Sequence, residues 1–152
     1  MSIALDELLK RSQPRSSQML EHLMGEGVEH AELLELMGRL PRHECVEPAF
    51  SHLAYSPTPL PIGRSQTISQ PLTVAKMTLC LFTYARLVCV LEVGTGSGYQ
   101  TCLLAHFFNK VHTIERQKSL YLQAQTRIRS MGFNNVEFLH GDGHLGWSQK
   151  VQ

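Results

Sequence analysis

The residues that most clearly indicate a functional site are three glycines spaced two apart and two acids that flank them. The glycines are Gly94, Gly96 and Gly98; Glu92 stands two positions before the first, and Glu115 lies about 21 positions after it. Glycine allows positive φ and lets the backbone approach a ligand closely. A carboxylate at the position of Glu115 can accept hydrogen bonds from both hydroxyls of a ribose. The pattern predicts a site for a ribose-containing cofactor.

A strand, a turn and a helix must position these residues. Residues 87–93 form an apolar run that only Glu92 interrupts, which is typical of a strand buried on both faces in a parallel sheet. Residues 99–108 are predicted to form a helix whose amino end offers unpaired N–H groups to anionic ligand atoms. The next predicted elements are a strand, a helix and a strand: 110–114, 117–131 and 136–140. Successive β–α–β crossovers predict a parallel sheet with strand order 3-2-1, the first half of a doubly wound, Rossmann-like α/β fold.

The chain before this sheet is predicted to be helical and then rich in loops. Helices are expected near residues 17–24, 28–37 and 71–82, and six prolines interrupt residues 41–71. Apolar residues inside that stretch indicate an ordered loop that lies across the domain. We expect two segments, 1–82 and 83–152, that form one structural unit.

Composition limits the possible partners. The 152 residues carry a formal net charge of +1, which argues against a nucleic acid or a membrane surface as partner. No apolar run approaches the roughly 18 residues that a membrane span requires. The first seven residues lack the basic region and apolar core of a secretory signal.

Cysteine and histidine usage indicates a reducing, cytoplasmic setting and no metal. The four cysteines are scattered without a C-x-x-C pair, and Cys80, Cys89 and Cys102 lie among apolar residues, where we predict core thiols. None of the eight histidines stands in an H-E-x-x-H motif or at zinc-ligand spacing.

The glycine spacing favours one class of cofactor. The dinucleotide fingerprint places its third glycine three positions after the second, whereas Gly98 follows Gly96 by two. The arrangement Glu-x-Gly-x-Gly-x-Gly resembles motif I of S-adenosylmethionine-dependent methyltransferases. An ordinary tight loop is the alternative for an isolated glycine turn. Here, however, the predicted strands, the helix and the acid lie around the turn at the spacing that a cofactor site requires.

Three blocks together resemble the protein-L-isoaspartate (D-aspartate) O-methyltransferase family. They are residues 59–71, which contain the highly specific Thr-Ile-Ser-Gln-Pro sequence, the glycine turn through residue 101, and residues 140–143. Weaker matches at 41–44 and 111–116 extend the resemblance from about residue 15 to the carboxyl end. The resemblance implies methyl transfer from S-adenosylmethionine to the carboxylate of L-isoaspartyl or D-aspartyl residues in damaged proteins, a repair reaction.

The resemblance also implies residue roles. Ser69 matches the active-site serine, although its place two residues before Pro71 also suits a helix cap. The implied cofactor-binding residues are Glu92, Gly94, Thr95, Gly96, Ser97, Gly98, Glu115, Asp142 and Gly143, and the implied substrate-binding residues are Ile62, Gln66, Thr67 and Ile68. The sequence departs from the family at Ser56, where an acid is common, and at His144, where a bulky residue is commoner; the resemblance places both nearer the substrate side or the rim than the cofactor. A carboxylate acceptor is ionised at neutral pH and needs no general base.

Two rival hypotheses remain. The chain could be a catalytically silent remnant that serves as a binding or interaction module, or a methyltransferase of the same fold that acts on another acceptor. The sequence stops where the family's fourth strand should begin, so we expect residues 87–93 to form an edge strand. Such an edge predicts self-association and weak activity of this chain alone.

Overall fold

The computed structural model describes residues 14–84 and 88–147. The chain divides into two compact units, Met1–Tyr84 and Ala85–Gln152. Within the described residues, no helix is both long and apolar enough to cross a membrane.

Three helices and a hairpin form the first unit. The helices are α1 (Ser17–Gly25), α2 (Ala31–Arg39) and α3 (Pro71–Tyr84), and the hairpin joins β1 (Leu60–Gly63) to β2 (Gln66–Ile68). The leucine and methionine side chains that recur at helical spacing in α1 and α2 are buried, apart from Met24, which is half-buried. The His30 side chain accepts a hydrogen bond from the Leu33 N–H and caps the start of α2.

The proline-rich stretch is ordered, as predicted. It contains two 3₁₀ helices, Arg42–Cys45 and Pro48–Leu53, before the antiparallel hairpin. Arg64 and Ser65 at the hairpin turn have φ values of 54° and 55°, a left-handed conformation that non-glycine residues seldom adopt. Ser69 directly follows β2 and lies two residues before the start of α3.

A three-stranded parallel sheet with two helices forms the second unit. In chain order the elements are β3 (Cys89–Val93), α4 (Tyr99–Phe107), β4 (Lys110–Glu115), α5 (Lys118–Ser130) and β5 (Val136–His140). The spatial order is β3-β4-β5, with both neighbouring pairs parallel, so the predicted 3-2-1 half of a doubly wound sheet is confirmed.

The prediction that the first strand of this sheet is buried on both faces is wrong. Leu91 is 45% exposed and Val93 62% exposed, and Cys89 beside them is also exposed. These three side chains project from one face of β3, and among the described residues no layer covers that face. Among the same residues β3 pairs only with β4, so its other edge is open as well.

The prediction of core thiols is correct for one of the three cysteines. Cys102 is buried in α4, with its Sγ 3.7 Å from Met131 Sδ. Cys80 and Cys89 are exposed, whereas Cys45, for which no prediction was made, is buried. An apolar sequence neighbourhood does not bury a thiol when its strand or helix face has no covering layer.

Candidate functional site

The glycine turn connects β3 to α4 and has the predicted backbone conformation. Gly94, Gly96 and Gly98 have φ values of 93°, 54° and 84°. The N–H groups of Gly94 and Thr95 donate to the Ile114 carbonyl at 2.8 and 3.2 Å, which attaches the turn to β4. A Cβ at Gly98 would lie 2.9 Å from Ile128 Cδ1, so the packing of α5 also requires glycine there.

Glu115 lies beside the turn and organises it. Its side chain is 6% exposed. Its Oε2 accepts a hydrogen bond from the Gly96 N–H, and its Oε1 accepts one from the Gln117 N–H, both at 2.8 Å. A carboxylate has about four acceptor positions, so Glu115 can hold the turn and still accept ligand hydroxyls.

Glu92 is the centre of a hydroxyl network. Its Oε2 accepts hydrogen bonds from the hydroxyls of Thr101, at 2.6 Å, and Thr113, at 2.7 Å. Because a hydroxyl has one proton, Thr113 must accept from Thr95, whose Oγ1 lies 2.6 Å away. The network therefore connects β3, the glycine turn, α4 and β4 through one carboxyl group.

The environment of Glu92 favours its neutral form. The pKa of Glu92 is raised from its ordinary value of 4.5 to about 7. Burial is the largest cause and the charge of Glu115 acts in the same direction, whereas the two hydroxyl donors oppose the shift. A cationic ligand group near this carboxyl would favour ionisation and release a proton at neutral pH.

Asp142 and Gly143 follow β5 and meet the end of β3. The Asp142 Oδ1 accepts a hydrogen bond from the His144 N–H at 2.9 Å and caps the 3₁₀ turn Gly143–Leu145. A Cβ at Gly143 would collide with the Val93 side chain. Asp142 and Gly143 thus lie at the carboxyl ends of the three parallel strands, as do the glycine turn and Glu115.

Two supporting interactions were missed by the sequence analysis. Arg127 on α5 donates from its Nη1 to the Ser97 carbonyl at 2.6 Å. Thr113 pairs in register with Glu92 across the two parallel strands. Strand alternation could have identified Thr113, because it precedes Glu115 by two and shares its face. No sequence signal indicated Arg127.

The Ser69 segment belongs to the first unit. Ser69 is exposed, and within the described part of the chain its hydroxyl has no hydrogen-bond partner, so no cap interaction is present. Its carbonyl accepts a hydrogen bond from Arg42 Nη2 at 2.6 Å. Of the other residues implied for substrate binding, Gln66 and Thr67 are exposed, whereas Ile62 and Ile68 are buried and anchor the hairpin.

The described residues contain no group of three or more histidine, cysteine, aspartate or glutamate side chains that could hold a metal ion. The polar groups at the carboxyl ends of the strands are carboxylates, hydroxyls and backbone N–H groups. That set suits an organic ligand with hydroxyl and ammonium groups.

Comparison with known proteins decides the family. The model of the protein-L-isoaspartate (D-aspartate) O-methyltransferase family matches residues 14–151. The chain belongs to this family. The resemblance drawn from the three sequence blocks is therefore confirmed.

Methyltransferases of this family with similar sequences occur in several bacteria. The protein-L-isoaspartate O-methyltransferase of Pseudomonas aeruginosa is 45% identical over 137 residues, which cover 90% of this chain and 65% of the relative. That of Pseudoalteromonas atlantica is 46% identical over 142 residues, covering 92% and 67%. The chain thus spans about two thirds of the length of these curated relatives.

Solved methyltransferases share the fold. One protein-L-isoaspartate O-methyltransferase has a TM-score of 0.66 at 21% identity, covering 85% of this chain and 43% of its own. A second, from Plasmodium falciparum in complex with S-adenosyl-L-homocysteine, has a TM-score of 0.66 at 23% identity, covering 82% and 62%. The TM-scores show that this chain shares the α/β fold of these two proteins.

Proposed function

We propose that this protein transfers a methyl group from S-adenosylmethionine to the carboxylate of L-isoaspartyl or D-aspartyl residues in damaged proteins, for their repair. The observation that carries the proposal is the glycine turn between two acids, with Glu115 bonded to the Gly96 N–H. Membership of the methyltransferase family over residues 14–151 supports it.

The polar groups around the turn fit S-adenosylmethionine. Glu115 would accept the ribose hydroxyls with its remaining acceptor positions. Glu92 would face the cationic methionine part, together with the turn residues Gly94, Thr95, Gly96, Ser97 and Gly98. Asp142 and Gly143 would bind the adenine edge, since the Asp142 carboxylate is exposed. When bound, the cofactor supplies a methyl group activated by its sulfonium.

The acceptor requires little help from the protein. A carboxylate is its own nucleophile, so the task of the chain is to align it with the methyl carbon rather than to move a proton. Ser69 is suited to this task, because its exposed hydroxyl can orient an acceptor oxygen without neutralising it. Gln66 and Thr67 would contact the peptide, while Ile62 and Ile68 hold the hairpin in place.

The decisive test compares two peptides and one ligand. Radiolabelled methyl transfer to an isoaspartyl peptide, but not to its normal aspartyl counterpart, is the expected result. Methyl transfer to a different acceptor would favour the other methyltransferase hypothesis. Titration with S-adenosylhomocysteine distinguishes the two methyltransferase hypotheses from the silent-remnant hypothesis. A silent remnant would show neither cofactor binding nor methyl transfer.

We also propose that two copies associate through the open edge of β3. An antiparallel pair centred on Leu91 would place Val90 opposite Glu92 and avoid opposing like charges. The exposed side chains of Leu91 and Val93 would then pack beside those of the partner strand on the same face. The near-neutral net charge offers little repulsion.

The remaining proposals concern setting and organisation. The four free cysteines support a reducing, cytoplasmic location. We propose that residues 1–82 serve as the helical and substrate-loop segment and residues 83–152 as the cofactor-binding part of one working unit.

A further inference from the structure

Arg42 makes a buried connection inside the first unit. Its side chain is 0% exposed, and it belongs to the 3₁₀ helix that follows α2. Nε donates to the Ala54 carbonyl at 2.7 Å, and Nη2 donates to the Ser69 carbonyl at 2.6 Å. One guanidinium therefore joins main-chain positions that lie 12 and 27 residues further along the chain.

The contact from Arg42 holds the Ser69 carbonyl, and the start of α3 holds the carbonyl of the next residue. The Gln70 carbonyl accepts the Val74 N–H at 3.2 Å, as the first hydrogen bond of that helix. The Ser69 hydroxyl, in contrast, remains exposed. The backbone is thus held while the side chain is available to a ligand, which is how a preorganised polar group is built.

The neighbouring residue strengthens the same connection. His43 Nδ1 lies 2.9 Å from the Tyr55 hydroxyl, and the two rings are 5.9 Å apart between centroids. Arg42 and His43 therefore contact the successive residues Ala54 and Tyr55. These contacts hold the segment that carries Arg42 in place.

We infer that Arg42 is a positioning residue, which holds the Ser69 main chain so that the hydroxyl keeps a constant place for the acceptor carboxylate. This inference rests on the role proposed for Ser69. Arginine is required because its planar fork presents several donors at once, whereas a lysine ammonium is a single nitrogen that does not span both carbonyls in the same way.

The test uses the full chain with Arg42→Lys, and Arg39→Lys as the matched control. Arg39 lies three residues earlier on the surface of α2, with 64% of its side chain exposed and Glu35 as an ion-pair partner. Hydrogen exchange measured by mass spectrometry should rise at least about tenfold for residues 64–70 in Arg42→Lys and stay unchanged in α1. Arg39→Lys should leave both segments unchanged. This readout does not depend on activity and separates failure of this inference from failure of the proposed reaction.

A double-mutant cycle then connects Arg42 to Ser69. Arg42→Lys should lower kcat for an isoaspartyl peptide about tenfold or more, with S-adenosylhomocysteine affinity unchanged. In the Ser69→Ala background the same change should have little further effect. Equal losses in both backgrounds, or unchanged exchange at 64–70, would overturn the inference. If Arg42→Lys does not fold, Arg42→Gln replaces it, and failure of both variants to fold would assign Arg42 a purely structural role.

Discussion

Replacing Glu115 by glutamine tests the cofactor site most directly. Each carboxylate oxygen of Glu115 accepts one backbone N–H at 2.8 Å, from Gly96 and from Gln117. Glutamine keeps one acceptor oxygen and presents an NH₂ group to the other N–H. One charged hydrogen bond is lost and a nearly buried donor is left without its acceptor. Such a loss costs about 1.5–3 kcal/mol, so we expect the free energy of unfolding to fall by about that amount.

The same substitution should weaken cofactor binding. If Glu115 accepts the ribose hydroxyls, S-adenosylhomocysteine affinity should fall by roughly 10–100-fold, which corresponds to about 1.5–3 kcal/mol. Isothermal titration gives the affinity, and urea unfolding gives the stability. Glu137→Gln is the matched control, because Glu137 lies on the neighbouring strand and pairs with Lys110 at 2.7 Å near the surface.

A modified ligand separates ribose recognition from damage to the turn. The wild-type protein should bind the 2′-deoxy analogue of S-adenosylhomocysteine more weakly than the parent compound, whereas Glu115→Gln should distinguish the two much less. Equal discrimination by both proteins, or unchanged affinity in a folded variant, would refute ribose recognition by Glu115.

Four further outcomes follow from the geometry. Gly98→Ala should lose about 1–3 kcal/mol in chemical unfolding, because φ is +84° and the new Cβ meets Ile128; a loss below about 0.5 kcal/mol would contradict this. Because folding raises the pKa of Glu92 to about 7, the folded state binds more protons, and stability should fall by about 3 kcal/mol as pH rises from about 4.5 to about 7. Glu92→Gln should flatten that profile, and an unchanged profile argues against the assignment. Ser69→Ala should lower methyl transfer while leaving S-adenosylhomocysteine affinity and the Tm intact; parallel losses in stability would indicate a structural serine. Leu91→Lys should abolish the association expected at micromolar concentration in light scattering, whereas Leu122→Lys, an exposed leucine on α5, should not; a monomeric wild-type chain would refute the edge pairing.

The local pattern of residues was sufficient to predict the sheet and the glycine turn. Alternating apolar runs and helical periods predicted β4, α5 and β5 to within one or two residues at their ends. The spacing of Gly94, Gly96 and Gly98 predicted a turn that requires positive φ, and all three have it. These features depend on interactions between residues close in sequence, or on backbone conformation that only glycine adopts readily.

Burial of the first strand could not be predicted in the same way. The apolar run of β3 is compatible with a central strand, but exposure depends on whether another strand or layer covers it. Leu91 and Val93 project from the same face of β3, and their exposure shows that no layer covers this face among the described residues. Sequence pattern reports the residue types of a strand, not the number of its neighbours.

The sequence by itself determined the family, the order of the elements and the acids that flank the glycine turn. Only the tertiary structure decided how those acids are held: Thr101 and Thr113 converge on Glu92, and Arg127 reaches Ser97 across 30 positions of the chain. Arg42 reaches Ser69 in the same manner. Contacts of this kind depend on how helices and strands pack. The position of one arginine in the sequence does not indicate which distant carbonyl its side chain will contact.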